Sequence, residues 1–109
     1  MPENASAKMS YDDKNLYATL SGEIDHHTAK VIRRELDEQM CRFRPMICVL
    51  NLKQVSFMDS AGIGLVVGRV RLAEEWHGVV HLAQVPAHLL KIFALAGLER
   101  LSGLKIEAI

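Results

Sequence analysis

The segment from Met58 to Gly64 (MDSAGIG) concentrates the side chains that could do chemistry in this chain. It joins a predicted buried strand to a predicted helix, and in open α/β sheets ligands and partners tend to meet the fold at such a boundary. The first N–H groups of a helix have no partner within it, and the helix dipole favours negative charge there. Asp59 or Ser60 could cap those groups, because Asp and Ser are favoured N-cap residues. Capping alone would leave the glycines that follow unexplained.

Three glycines lie in the first turns of the predicted helix: Gly62, Gly64 and Gly68. Each costs roughly 1 kcal/mol relative to Ala in a helix. Gly64 and Gly68 are four residues apart and share one helix face, which could either pack closely on the sheet or stay open. The helix already has an inward face of apolar residues (Ile63, Val66, Val67, Val70 and Ala73). This favours an exposed glycine surface that the backbone of another protein can approach.

Three ligand or catalytic motifs are incomplete around Ser60. A serine-hydrolase nucleophile elbow needs Gly at the position of Met58, and no histidine is assigned as a base. A dinucleotide fingerprint needs Gly at the position of Val67, and no Gly-Lys-Ser or Gly-Lys-Thr triplet forms a P-loop. A nucleotide-binding module nevertheless stays open as an alternative, because free N–H groups at a strand-to-helix turn can hold a phosphate.

A second candidate segment, GEIDHHT at positions 22–28, also lies at a strand-to-helix boundary. Asp25 could lie near Asp59 if the two preceding strands are neighbours, and two close carboxylates can share a proton or a metal, or be solvated. The adjacent His26 and His27 lack a third ligand at a useful spacing. We therefore predict surface histidines and no metal site.

Composition narrows the function classes. The 109 residues suit one domain, and half of them are apolar, as in a packed core. The formal net charge is zero, whereas a general nucleic-acid binder usually carries a basic excess, so no direct nucleic-acid partner is expected. No apolar run approaches the ~20 residues that span a bilayer, and the first residues lack the apolar core of a secretion signal. With Cys41 and Cys48 interpreted as reduced, half-buried thiols, a cytoplasmic protein without membrane contact is expected.

Periodicity predicts the element order ββαβαβαβ, an α/β fold with helices packed on one mixed sheet. Thr28 is the expected N-cap of the first helix, and Gly22 is expected to end the strand before it. Met46 to Leu52 is almost continuously apolar, which is typical of a strand covered on both faces. Pro86 is expected in the first turn of the last helix and Gly97 just past its end. The other expected strands are 8–11, 16–21, 79–83 and 104–109.

Three blocks carry a family resemblance: GEIDHHTA (22–29), VLNLKQVSFMDSAGIG (49–64) and LLKIFALAGL (89–98). Over essentially its whole length the chain resembles the anti-sigma factor antagonists of the STAS domain family. The second block is the most specific, because an Asp-Ser-x-Gly-hydrophobic-Gly turn follows the strand. The resemblance implies a single STAS domain over residues 1–109.

The resemblance also implies a regulator without catalytic activity or cofactor. The unphosphorylated form would bind an anti-sigma factor that is also a serine kinase, releasing a sigma factor that controls sporulation. That kinase would phosphorylate Ser60, and a serine phosphatase would reverse the step. Ala61 stands where sporulation members often have a second serine. Another STAS regulator, such as a stressosome component, is the alternative within the fold. The expected partner-contact residues are Asp25, Asp59, Ser60, Gly62, Ile63, Gly64 and Gly68.

Overall fold

Two antiparallel strands begin the fold, which is described here for residues 5–109 by a computed structural model. Strand β1 (Ser6–Asp12) and strand β2 (Asn15–Ile24) form a hairpin. The two residues of the turn have positive φ, 46° at Asp13 and 69° at Lys14, as a hairpin turn matched to the strand twist requires. The alternation predicted for β2 is confirmed, since Leu16, Ala18 and Leu20 are buried on one face.

The rest of the chain alternates helices and strands in the predicted order. The elements are α1 (Thr28–Phe43), β3 (Ile47–Met58), α2 (Ser60–Glu74), β4 (Val79–Val85), α3 (Ala87–Leu95), a 3₁₀ turn (Leu98–Arg100) and β5 (Leu104–Ala108). The five strands lie side by side in sequence order, and all pairs except β1–β2 are parallel. The prediction of one mixed sheet with packed helices is therefore confirmed. Within residues 5–109, no helix combines the length and apolar character needed to cross a membrane.

The three helices lie on one face of the sheet. Each crossover steps to the next strand in the same direction, and right-handed crossovers then place every helix on the same side. The core lies between that face and the helices, and it contains Leu20, Leu50, Leu82, Leu36 and Phe93, each at most 1% exposed.

Strand β3 differs from its prediction because only one of its faces is covered. Cys48, Leu50 and Leu52 are fully buried, but Val49 on the other face is half-buried beside Tyr17, which is 42% exposed. The apolar run was misleading because β-branched side chains such as Val49 favour strands whether or not both faces are covered.

Several predicted boundaries shift. Gly22 does not end β2: it adopts a positive φ of 88° next to a register shift, and the strand continues to Ile24. Pro86 immediately precedes α3, and Gly97 follows it in the left-handed conformation at φ 73°. The thiols are not both half-buried, since Cys41 is exposed and Cys48 is buried. Burial raises the pKa of Cys48 to about 12.

Candidate functional site

Strands β2 and β3 bring Asp25 and Asp59 to the same edge of the sheet. Their preceding residues, Ile24 and Met58, are register partners in the parallel pair. The main-chain N–H of Asp59 also donates to the carbonyl oxygen of Ile24 at 3.2 Å. Since paired strands lie about 4.8 Å apart, the two aspartates leave the sheet side by side. The sequence predicts that Asp25 lies near Asp59 if the two preceding strands are neighbours. Strands β2 and β3 are neighbours, so this condition is fulfilled.

Asp59 is the residue that caps α2. Its Oδ1 accepts hydrogen bonds from the N–H of Ala61 at 2.8 Å and of Gly62 at 3.4 Å. The sequence left Asp59 and Ser60 as alternative caps, and the structure assigns the role to Asp59. Ser60 is the first residue of the helix and is exposed, so its side chain is accessible to a modifying enzyme.

Asp25 forms a similar pair of hydrogen bonds in the turn that leads into α1. Its Oδ1 accepts from the N–H of His27 at 2.9 Å and of Thr28 at 3.0 Å. These bonds, that from Thr28 first, hold the pKa of Asp25 below its usual value. The prediction that Thr28 caps α1 is wrong, because the helix begins at Thr28 and its hydroxyl donates backward to the carbonyl of Glu23 at 2.8 Å.

The three glycines of α2 have two different environments. A Cβ built on Gly64 or Gly68 would meet no atom within 4 Å, so these positions are open and do not pack on the sheet. A Cβ on Gly62 would lie 2.9 Å from the sulfur of Met58 and 3.3 Å from Cγ2 of Ile24. Gly62 is buried, and internal packing against Met58 explains why a glycine stands there. Its role as a partner contact stays a prediction.

The exposed side of α2 forms a continuous surface. Leu65, Val66 and Val70 are buried, whereas Ile63 and Val67, which were predicted to face inward, are only half-buried. Residues three and four apart share a helix face, so these two residues align with the open glycines and the serine. We call this surface the α2 face; it consists of Ser60, Ile63, Gly64, Val67 and Gly68.

A cleft of about 330 Å³ lies between the first turns of α1 and α2. Its lining includes Gly64 of the α2 face and the side chains of His26, Lys30 and Arg33. Sequence reasoning missed Lys30 and Arg33, because both belong to an exposed, charged face of α1, and such a face is ordinarily solvated surface. Their three-residue spacing next to the buried Ala29 was the only signal that they line the inner edge of that face.

The histidines give no sign of a metal centre. His26 and His27 are exposed, and their ring centroids lie 4.0 Å apart. Across residues 5–109, no three His, Cys, Asp or Glu side chains come together as a group that could hold a metal ion.

Comparison with known proteins gives a consistent result. The family model described as the STAS domain matches residues 7–108. The chain is 34% identical to an anti-sigma F factor antagonist of Paenibacillus polymyxa over 95 residues, which cover 87% of this chain and 81% of that protein. It is 31% identical to an anti-sigma-B factor antagonist of Bacillus subtilis over 99 residues, covering 88% and 86%.

A solved structure has the same fold. The Bacillus cell fate determinant SpoIIAA in its phosphorylated form superposes with a TM-score of 0.72 at 27% identity, covering 94% of this chain and 92% of that one. The unphosphorylated form of SpoIIAA, an anti-sigma factor antagonist, gives a TM-score of 0.73 at 26% identity, covering 95% and 89%.

Proposed function

The chain belongs to the STAS domain family, and from that membership we propose that it is an anti-sigma factor antagonist controlled by phosphorylation of Ser60. The unphosphorylated form binds an anti-sigma factor that is also a serine kinase, and this binding frees the sigma factor. The kinase transfers a phosphoryl group from ATP to Ser60, and this modification ends binding. A serine phosphatase removes the phosphoryl group and thereby restores binding. The chain acts as a binding protein rather than an enzyme and uses no cofactor.

One observation carries the proposal: Ser60 is exposed at the start of α2 while Asp59 takes over the capping of that helix. The hydroxyl can then be modified without removing the bonds that Asp59 makes to Ala61 and Gly62. A partner covering the α2 face would contact Ser60 directly, because the serine lies one turn before Gly64 on the same face. Modification and binding therefore use the same surface.

The charge change is large enough to act as a switch. The formal net charge is zero, and a phosphoryl group adds about −2 at the edge where Asp25 and Asp59 already lie. A unit-charge pair ~5 Å apart at an effective dielectric constant of ~20 is worth about 3 kcal/mol before salt screening. Since 1.4 kcal/mol is tenfold in affinity, repulsion from an acidic group of the partner would weaken binding on the order of a hundredfold.

Two classes of sigma factor, sigma F and sigma B, are candidates for the one that is released. The antagonists named for sigma F and for sigma B are similarly related to the chain, at 34% and 31% identity. The GEIDHHTA block favours the sporulation type, and another STAS regulator, such as a stressosome component, is the alternative. Binding assays with both classes of anti-sigma kinase would separate the two.

The first experiment is incubation with a candidate anti-sigma kinase and ATP, followed by peptide mass spectrometry. We expect one phosphoryl group on Ser60 and none in the Ser60→Ala variant. Ser60→Ala should still bind the kinase, and Ser60→Asp should bind it less tightly, though with a smaller loss than phosphate causes. An unmodified chain in a reaction where the kinase phosphorylates another substrate would contradict the proposal.

A further inference from the structure

We propose that the cleft between α1 and α2 receives an acidic segment of the partner protein, with Lys30 and Arg33 as its charge contacts. This rests on the proposed function and extends the partner surface from the α2 face onto α1. It also assigns a contact role to two side chains that the family motifs do not include.

The composition of the cleft favours a carboxylate-bearing occupant with an apolar part. Its floor contains Ala29 and Leu65, both buried, and the half-buried Ala61. Its rim carries the exposed side chains of Lys30 and Arg33. No acidic side chain is among the described residues that line the cleft. An apolar floor with a cationic rim suits an Asp or Glu next to a small apolar residue.

The two cations are available to a partner. Within the part of the chain that the structure describes, Lys30 and Arg33 form no salt bridge. Asp37 follows Arg33 by one turn of α1, but its Oδ1 lies 2.6 Å from Nη1 of Arg69. Because Arg69 already compensates this carboxylate, the positive charge of the rim stays without an internal partner.

The cleft is continuous with the switch residue. Gly64 belongs both to the α2 face and to the lining of the cleft, and the absence of a side chain there keeps the passage between them open. Ser60 lies one turn before Gly64, so a phosphoryl group on Ser60 would stand at the end of the cleft. There it would both repel the partner's carboxylate and attract the cations that should bind it.

The test compares two charge-matched double variants of the full chain. Lys30→Gln/Arg33→Gln removes the two positive charges from the rim of the cleft. Lys8→Gln/Arg34→Gln removes one exposed lysine and one exposed arginine that do not line it. Affinity for the anti-sigma kinase is measured without ATP, so that Ser60 stays unmodified, at low and at high salt. Circular dichroism and thermal melting show whether each variant is folded.

We expect the cleft variant to bind about tenfold more weakly, with a reduced dependence on salt, because two attractive rim charges are lost. The control variant should bind as the wild type does. Equal losses in both variants, or no loss in either, would overturn the inference. If the wild type itself binds no anti-sigma kinase, the proposed function fails before the inference is reached.

A nucleotide is the other possible occupant of the cleft, and calorimetry with ATP and GTP tests for it. A protein segment as occupant predicts no nucleotide binding to the unmodified wild type in the micromolar range. Micromolar binding that is lost in Lys30→Gln/Arg33→Gln would make the cleft a nucleotide site and would overturn the inference.

Discussion

The main-chain N–H of Asp59 donates a 3.2 Å hydrogen bond to the carbonyl oxygen of Ile24. This bond continues the pairing of β2 and β3 up to the point where both strands end. Asp25 and Asp59 then each bind two main-chain N–H groups at the start of the following helix. The two helices that border the cleft thus start from one hydrogen-bonded edge, and Ser60 follows directly on this hydrogen-bonded frame.

That frame predicts a local response to phosphorylation. Asp59 already satisfies the N–H groups of Ala61 and Gly62, and a helix N-terminus tolerates an added anion. We expect amide chemical-shift changes between the two forms to be confined to the neighbourhood of Ser60, Asp25 and the cleft between α1 and α2. Two-dimensional ¹H–¹⁵N spectra of both forms would show this. Shifts spread across β4 and β5 would mean that the switch acts by refolding.

The glycines of α2 predict opposite effects of one added methyl group. Gly62→Ala should lower the free energy of unfolding by about 1–3 kcal/mol, because the methyl collides with Met58. Gly64→Ala should keep or raise it, by up to about 1 kcal/mol, because alanine favours the helix and the space is open. Urea denaturation of both variants measures the difference.

The variants Gly62→Ala and Gly64→Ala also distinguish an effect on folding from an effect on binding. Gly64→Ala should weaken binding of the anti-sigma kinase in spite of its intact stability, since the methyl projects from the α2 face. Should Gly64→Ala prove as unstable as Gly62→Ala, the glycine surface would be part of the internal packing and no contact role would be left for it.

Asp25 predicts a dependence of stability on pH. Its pKa is lowered from 3.8 by the N–H groups of Thr28 and His27, so the ionised form is the one that folding favours. The stabilisation is therefore present above the unfolded-state pKa and is lost as pH falls through the folded-state value. The difference in unfolding free energy between wild type and Asp25→Asn should be largest above about pH 5 and should shrink on acidification.

Glu23→Gln is the matched control for Asp25→Asn, because Glu23 is an exposed carboxylate two residues away. Carboxyl ¹³C titration of the wild type gives the pKa of Asp25 directly. A value at or above 3.8 would show that the two N–H bonds do not hold the carboxylate in solution.

The sequence was sufficient for the order of helices and strands along the chain and for the place of Ser60 at the start of a helix, because periodicity, Pro86 and the MDSAGIG turn all mark local structure. It left open whether β2 and β3 are neighbours in the sheet. It could not separate Gly62 from Gly64, since that difference arises from Met58 and Ile24, which approach only after the sheet has formed. The sequence also did not show that Lys30 and Arg33 line a cleft, because the cleft exists only once α1 and α2 have packed together. A charged helix face shows which residues avoid the core, but the neighbouring helix determines which of them line a cleft.

An ion pair between Asp37 of α1 and Arg69 of α2 joins these two helices, and we expect it to contribute to the stability of the fold. Arg69 is nearly buried, with 8% of its side chain exposed, whereas 38% of Asp37 is exposed. Burial lowers the pKa of Arg69, and the negative charge of Asp37 opposes that effect. Asp37→Ala should therefore lower the free energy of unfolding, by about 2 kcal/mol, less than the loss of a fully buried partner because water reaches Asp37. Adding Arg69→Met, which replaces the stranded cation with an apolar chain, should recover much of that loss in urea denaturation. A double variant no more stable than Asp37→Ala would show that the uncompensated charge of Arg69 is not the source of the cost.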